Sequence, residues 1–266
     1  MKEKLEAFER LLNVMDDLRT KCPWDKKQTM QTLRHLTIEE VYELADAILD
    51  DNRTEIKKEL GDILLHIVFY ARIASETNEF DITSVINSLC EKLIHRHPHI
   101  YGDVQVADEA EVSRNWEQLK LKEGKTSVLE GVPVSLPALV KSMRIQEKAR
   151  SAGFDWEQPE QVFEKVEEEF EEFKVEIAND DQQKMEEEFG DLMFALVNYA
   201  RFKKINPEEA LERTNKKFIR RFRYLEDQAA ANGQHLQSMS LDEMDVYWNE
   251  AKKKGTRYIK SWLRSR

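Results

Sequence analysis

VEEEFEEFKVEIANDDQQKMEEEFGDLMFALVNYAR, residues 166–201, decides the reading of the whole chain. The spacing predicts two helices joined by a turn over residues 179–182. Glu169 and Glu172 stand three apart and share a helical face, as do Glu188 and Asp191 on the second helix. Closing the hairpin brings four carboxylates to one seam. Like charges at that spacing cost about a few tenths of a kcal/mol each on an exposed helix, and more when partly buried. Such a gathering calls for a cation, and a hard divalent metal suits oxygen donors.

The same pattern occurs earlier in the chain. Glu40, Glu43, Glu59 and Asp62 precede Glu169, Glu172, Glu188 and Asp191 by a constant 129 residues, as Gly61 precedes Gly190 and Tyr70-Ala71-Arg72 precedes Tyr199-Ala200-Arg201. Trp116 in WEQLK is matched by Trp248 in WNEAK after a small gap. The chain is two copies of one helical unit. The expected boundaries are 1–125 for the first copy, 126–137 for a linker with one Gly and two Pro, and 138–266 for the second.

Around these copies the sequence is helical in character. Charged residues make up 35% of the 266 and hydrophobic ones 41%, and the 8 Gly and 6 Pro are thinly spread, which suits long helices. Residues 3–19 line up Leu5, Phe8, Leu11, Leu12, Met15 and Leu18. A loop over 20–27 contains Cys-Pro-Trp-Asp. Helices are then expected over 28–50, with a break near Leu36–Thr37, and over 54–77, 82–95 and 109–122. Pro137, Pro159 and Pro207 sit at first-turn positions of later helices, and a last helix covers 241–254. A basic, aromatic end follows at 257–266.

The net charge of −11 argues against a nucleic-acid binder, though a metal can invert the local field for an anionic nucleotide. No apolar run reaches the length of a membrane span, and the amphipathic first helix is no signal peptide. Cys22 and Cys90 have no metal or redox spacing and read as buried thiols of a cytoplasmic protein.

A lone E-x-x-E is most often an ordinary solvated helix face. Thr37-Ile-Glu-Glu40 also fits a capping box, but Val166, which matches Thr37, cannot cap while its glutamate persists. Repetition of all four acids argues against both accounts. So does a mid-helix glycine inside each second pair, just before its aspartate, at about 1 kcal/mol relative to alanine, which implies close approach of a neighbouring helix or ligand there.

E-E-x-x-E followed by a hairpin and E-x-x-D, in tandem, with CPWD near the start and a Trp in the last helix, resembles the MazG nucleoside triphosphate pyrophosphohydrolases. The resemblance covers nearly the whole chain. It implies an all-α fold of two tandem four-helix-bundle-like units, a homodimer, and Mg²⁺-dependent cleavage of NTPs or dNTPs to a nucleoside monophosphate and pyrophosphate, with Mn²⁺ as a possible substitute. Glu169, Glu172, Glu188 and Asp191 are then the metal ligands, and Glu40, Glu43, Glu59 and Asp62 a second set that need not be active. Glu168 is a candidate for taking the proton of the attacking water.

A triphosphate also needs fixed cations. Lys165 and Lys184 each precede a ligand acid by four residues, and their counterparts are Leu36 and Glu55. Lys217 and Arg221 match the family's phosphate-contacting pair and Trp248 its base-stacking Trp, while Lys92, Arg96 and Trp116 stand at comparable places in the first copy. In tandem members the C-terminal copy usually carries the hydrolytic centre, and the lysines point the same way. His66 is matched by Ala195, which argues against a shared metal role, and His95, His97 and His99 read as a polar loop rather than a zinc site. A di-iron bundle would need Glu-x-x-His, which neither copy has. The other alternative is a non-catalytic dimeric helical scaffold.

Overall fold

In a computed structural model the chain divides into two units, residues 1–124 and 125–266. The structure describes residues 1–108, 111, 112, 115, 116, 119 and 127–254. All regular structure among these is helical. Most of the expected 109–122 helix and the basic end at 257–266 lie outside the described residues.

The first unit contains α1 (Lys2–Lys21), α2 (Met30–Leu49), α3 (Arg53–Ser75), α4 (Ile82–Arg96) and α5 (Pro98–Tyr101), with a 3-10 turn at Asp25–Lys27. Its core joins Met15 of α1, Leu33 of α2 and Val68 and Phe69 of α3, flanked by Phe8, Leu11, Leu12, Leu36 and Tyr70. The α1 stripe is therefore buried in its middle, while Leu5 and Leu18 at its ends stay exposed. Arg19 fastens the CPWD loop, donating to the carbonyls of Asp25 and Gln28 and pairing with Glu76 at 2.8 Å.

Helix α2 runs unbroken through Leu36–Thr37, against expectation. No Gly or Pro interrupts it, and Thr37 satisfies its hydroxyl one turn back on the Leu33 carbonyl. Thr37 is no cap; that role belongs to Thr29 and Thr32, whose hydroxyls each accept from the other's backbone N–H. Thr37 instead meets Tyr70 at 2.6 Å and His66 Nδ1 at 2.8 Å, which gives the buried His66 its structural partner. The cysteines are also corrected. Both are free, but Cys22 is only partly covered and Cys90 faces outward from α4.

The second unit contains α6 (Ala138–Ser151), α7 (Pro159–Asn179), α8 (Gln182–Phe202), α9 (Pro207–Ala231) and α10 (Leu241–Lys254). Pro137 proves to be the N-cap of α6, whereas Pro159 and Pro207 open α7 and α9. Val166, Leu192 and Ala195 form the core of the α7–α8 hairpin, with Phe173 and Tyr199 against them.

The repeat extends to the backbone of the two hairpin turns. Asp51 and Asp180, 129 residues apart, both take the left-handed conformation, at φ 50° and 59°. Asn52 and Asp181 follow as N-caps of α3 and α8. The arginine of each Tyr-Ala-Arg then ties its hairpin to the preceding segment. Arg72 pairs with Asp16, and Arg201 donates to Asp155 at 3.0 Å.

Candidate active site

Helix α7 places Glu169, Glu172 and Glu176 on one face, and α8 turns Lys184, Glu188 and Asp191 toward them. Glu169, Glu172 and Glu188 each offer a carboxylate oxygen within 4.8 Å of the others. Glu169 is 7% exposed, Glu188 half-buried and Glu172 open to solvent. Asp191 is not one of the three, but its charge acts on Glu188. Burial first, then Glu172, Asp191, Glu169 and Glu176, raise the Glu188 carboxyl above its ordinary value. That is the effect of negative groups gathered close together.

Two lysines bracket the cluster. Lys165 Nζ lies 2.7 Å from Glu169 and 2.8 Å from Glu168, and these acids, Glu168 first, hold its ammonium well above its ordinary value. Lys184 does not reach Glu188. It lies 4.0 Å from Glu176, an acid that the sequence pattern leaves out. Glu176 sits four residues beyond Glu172 on the same face, a spacing visible in the sequence, although its counterpart in the first copy is Ala47 and so the repeat does not mark it. Glu168 stands outside the cluster, held by Lys165.

The first copy repeats the geometry with a different cation. Glu40, Glu43 and Glu59 offer oxygens within 4.8 Å of one another, and burial together with the Glu59 carboxylate raises Glu40. Lys58, at 2.8 Å from Glu59 and 3.9 Å from Glu43, supplies the positive charge here. Comparing only matched positions hides it, because its counterpart is Glu187 and its partner is its own chain neighbour. Glu59 is 2% exposed, and its Oε2 has no hydrogen-bond partner. A buried, unsatisfied carboxylate oxygen among other carboxylates fits a hard cation. The all-oxygen donor sets of both copies suit Mg²⁺ or Mn²⁺ better than zinc.

Two of the expected base- and phosphate-binding residues meet in each unit. Arg221 on α9 lies over the ring of Trp248 on α10 at 5.7 Å, and Phe218 packs on the same indole at 5.0 Å. Lys217, one turn before Arg221, is exposed, while the Nε of Arg221 is buried without a partner. In the first unit Arg96 lies over Trp116 at the same 5.7 Å. His97 packs edge-on to that Trp and uses Nδ1 on the Leu93 carbonyl, a packing role. The mid-helix glycines are not explained by close approach of any described residue. A Cβ at Gly61 or Gly190 would meet nothing within 4 Å. No helix among the described residues is long and apolar enough to cross a membrane.

The family described as the MazG nucleotide pyrophosphohydrolase domain matches the chain twice, over residues 28–101 and 157–225. A Thermotoga maritima protein named nucleoside triphosphate pyrophosphohydrolase/pyrophosphatase MazG is 43% identical over 95% of this chain and 98% of its own length. An Escherichia coli nucleoside triphosphate pyrophosphohydrolase is 40% identical over 94% of this chain and 98% of its own. The uncharacterized protein YabN of Bacillus subtilis is 46% identical over 94% of this chain, which spans 53% of that protein. Both carboxylate clusters lie inside the matched segments, and the chain belongs to the MazG family of nucleotide pyrophosphohydrolases.

Proposed function

We propose that this chain hydrolyses nucleoside triphosphates to a nucleoside monophosphate and pyrophosphate, using Mg²⁺ or in its place Mn²⁺, with the C-terminal copy as hydrolytic centre. The observation that carries this reading is the meeting of Glu169, Glu172 and Glu188 within 4.8 Å at the α7–α8 seam. These three and Asp191 are the residues that would hold the ion. When bound, such an ion offsets charge developing on phosphate oxygens and makes a nearby water more acidic.

The chain's own groups do the rest. Lys165 and Lys184 neutralise phosphate charge from the two ends of the acid cluster. Lys217 and Arg221 take further phosphate oxygens, and the exposed part of Trp248 offers a face to the base. In the reaction a water oxygen bonds to the α-phosphorus, the bond to the bridging oxygen breaks, and pyrophosphate leaves. Glu168 is our assignment for the proton acceptor. To serve, it must release Lys165 to Glu169, which already lies 2.7 Å from that ammonium. Removal of unwanted nucleotides and adjustment of normal pools are both served by this chemistry, in the cytoplasm.

The working unit is a homodimer in this reading. Phe170 and Phe189 leave about half their surface exposed, as do Val41 and Leu60 at the matching positions of the first copy. Apolar residues repeated at one register in both hairpins suit a second copy of the chain. Pyrophosphate release from NTP and Mg²⁺ separates the enzyme from a non-catalytic dimeric scaffold, which yields none. Glu172→Ala should abolish that release and Glu43→Ala should leave most of it. Loss with Glu43→Ala alone would reverse the assignment of the copies.

A further inference from the structure

The two copies hold their lysines differently. Lys165 has two partners, Glu169 in the cluster and Glu168 outside it, so its ammonium can leave the cluster without losing an ion pair. Lys58 has no such exit. The acids around it are Glu59, Glu43 and Asp62, and all three belong to the first copy's own carboxylate set. Its 2.8 Å bond goes to a carboxylate that is 2% exposed and whose other oxygen has no partner. An ion entering between Glu40, Glu43 and Glu59 therefore meets a cation already tethered to its ligands.

We propose that Lys58 is a built-in competitor for divalent cations at the first copy, which makes this a weaker metal site than the one at Glu169, Glu172 and Glu188. The proposal rests on reading both clusters as metal-holding. Competition is finite because the lysine side chain is 60% exposed and water can receive the ammonium. Removing it should tighten the site on the order of three- to tenfold, the range expected when a charge-assisted bond at a half-exposed position is lost from the metal-free state.

The test is Mn²⁺ binding to the full chain, followed by the paramagnetic resonance of free Mn²⁺, with no nucleotide present. Glu172→Gln/Glu188→Gln silences the second copy, so the binding that remains reports the first. In this background Lys58→Gln should bind Mn²⁺ severalfold more tightly, and Lys58→Arg should restore the weaker binding. Circular dichroism checks that each variant stays helical. Equal or weaker binding by a folded Lys58→Gln protein overturns the competitor role. No Mn²⁺ bound with either residue at position 58 overturns the first copy as a metal site. The C-terminal assignment is judged separately, by Mn²⁺ binding and NTP hydrolysis of the unmodified chain.

Discussion

Replacing Gly190 with alanine sets local helix energetics against a demand from outside the chain. Gly190 is the ninth of the 21 residues of α8, well inside the helix, and exposed. Alanine is favoured over glycine in a helix interior by about 1 kcal/mol, because it restricts the unfolded backbone more. A steric penalty would normally be subtracted, but a Cβ at this position meets nothing within 4 Å. The full propensity difference should therefore appear as added stability. With a urea dependence of about 2 kcal/mol per M for a unit of this size, the midpoint should rise by about 0.5 M. Urea unfolding monitored by circular dichroism at two protein concentrations is the assay. A fall in the midpoint refutes the reasoning, since it requires an atom against Gly190 that the described residues do not supply. A fall that grows with protein concentration assigns that atom to a second copy. A rise in stability accompanied by loss of hydrolysis assigns the bare backbone, next to Asp191 and two residues from Glu188, to substrate.

Two further outcomes follow from ion pairs inside each unit. Arg201→Met removes a guanidinium that is 7% exposed on its side chain and paired with Asp155 and Asn198, and should destabilise the second unit by about 2 kcal/mol, read as a lower urea midpoint. The loss stays below that of a fully buried pair because Arg150, 3.6 Å from Asp155, can take its place. The Glu76 carboxyl is held below its ordinary value, first by its hydrogen bond to Arg19 and then by the charges of Arg19 and Arg72. Its contribution to stability is thus complete above the unfolded glutamate value of about 4.3 and is lost as pH falls through the lower folded value. The stability difference between the unmodified chain and Glu76→Gln should therefore shrink below about pH 4, measured by urea unfolding across that range.

What the sequence made legible was what repetition and helical spacing encode. The three-residue spacing of Glu169 and Glu172, and of Glu188 and Asp191, predicts shared faces, and the constant offset of 129 predicts a second hairpin with the same turn. Both turned out to reach down to the left-handed Asp51 and Asp180. Details that depend on tertiary partners were not legible. Thr37 looks like a cap because caps are local, yet its partners are His66 and Tyr70 on another helix. Lys184 precedes Glu188 by one turn, but its ammonium is drawn toward Glu176 across the seam. Lys58 escaped because neighbours in a helix do not normally face each other, whereas a flexible lysine can bend back to the residue beside it.

The two seams nonetheless solve the same electrostatic problem by different means. In the second copy five acids, Glu169, Glu172, Glu176, Glu188 and Asp191, stand against Lys165 and Lys184. In the first, four acids, Glu40, Glu43, Glu59 and Asp62, stand against Lys58, and Glu176, Lys165 and Lys184 are replaced by Ala47, Leu36 and Glu55. The copies therefore differ both in how many cations they hold and in where those cations stand. Lys165 divides its charge between the ligand Glu169 and Glu168 outside the set, and Lys184 pairs with Glu176, so both can turn toward an incoming triphosphate, whereas both ion pairs of Lys58 are with the ligands themselves.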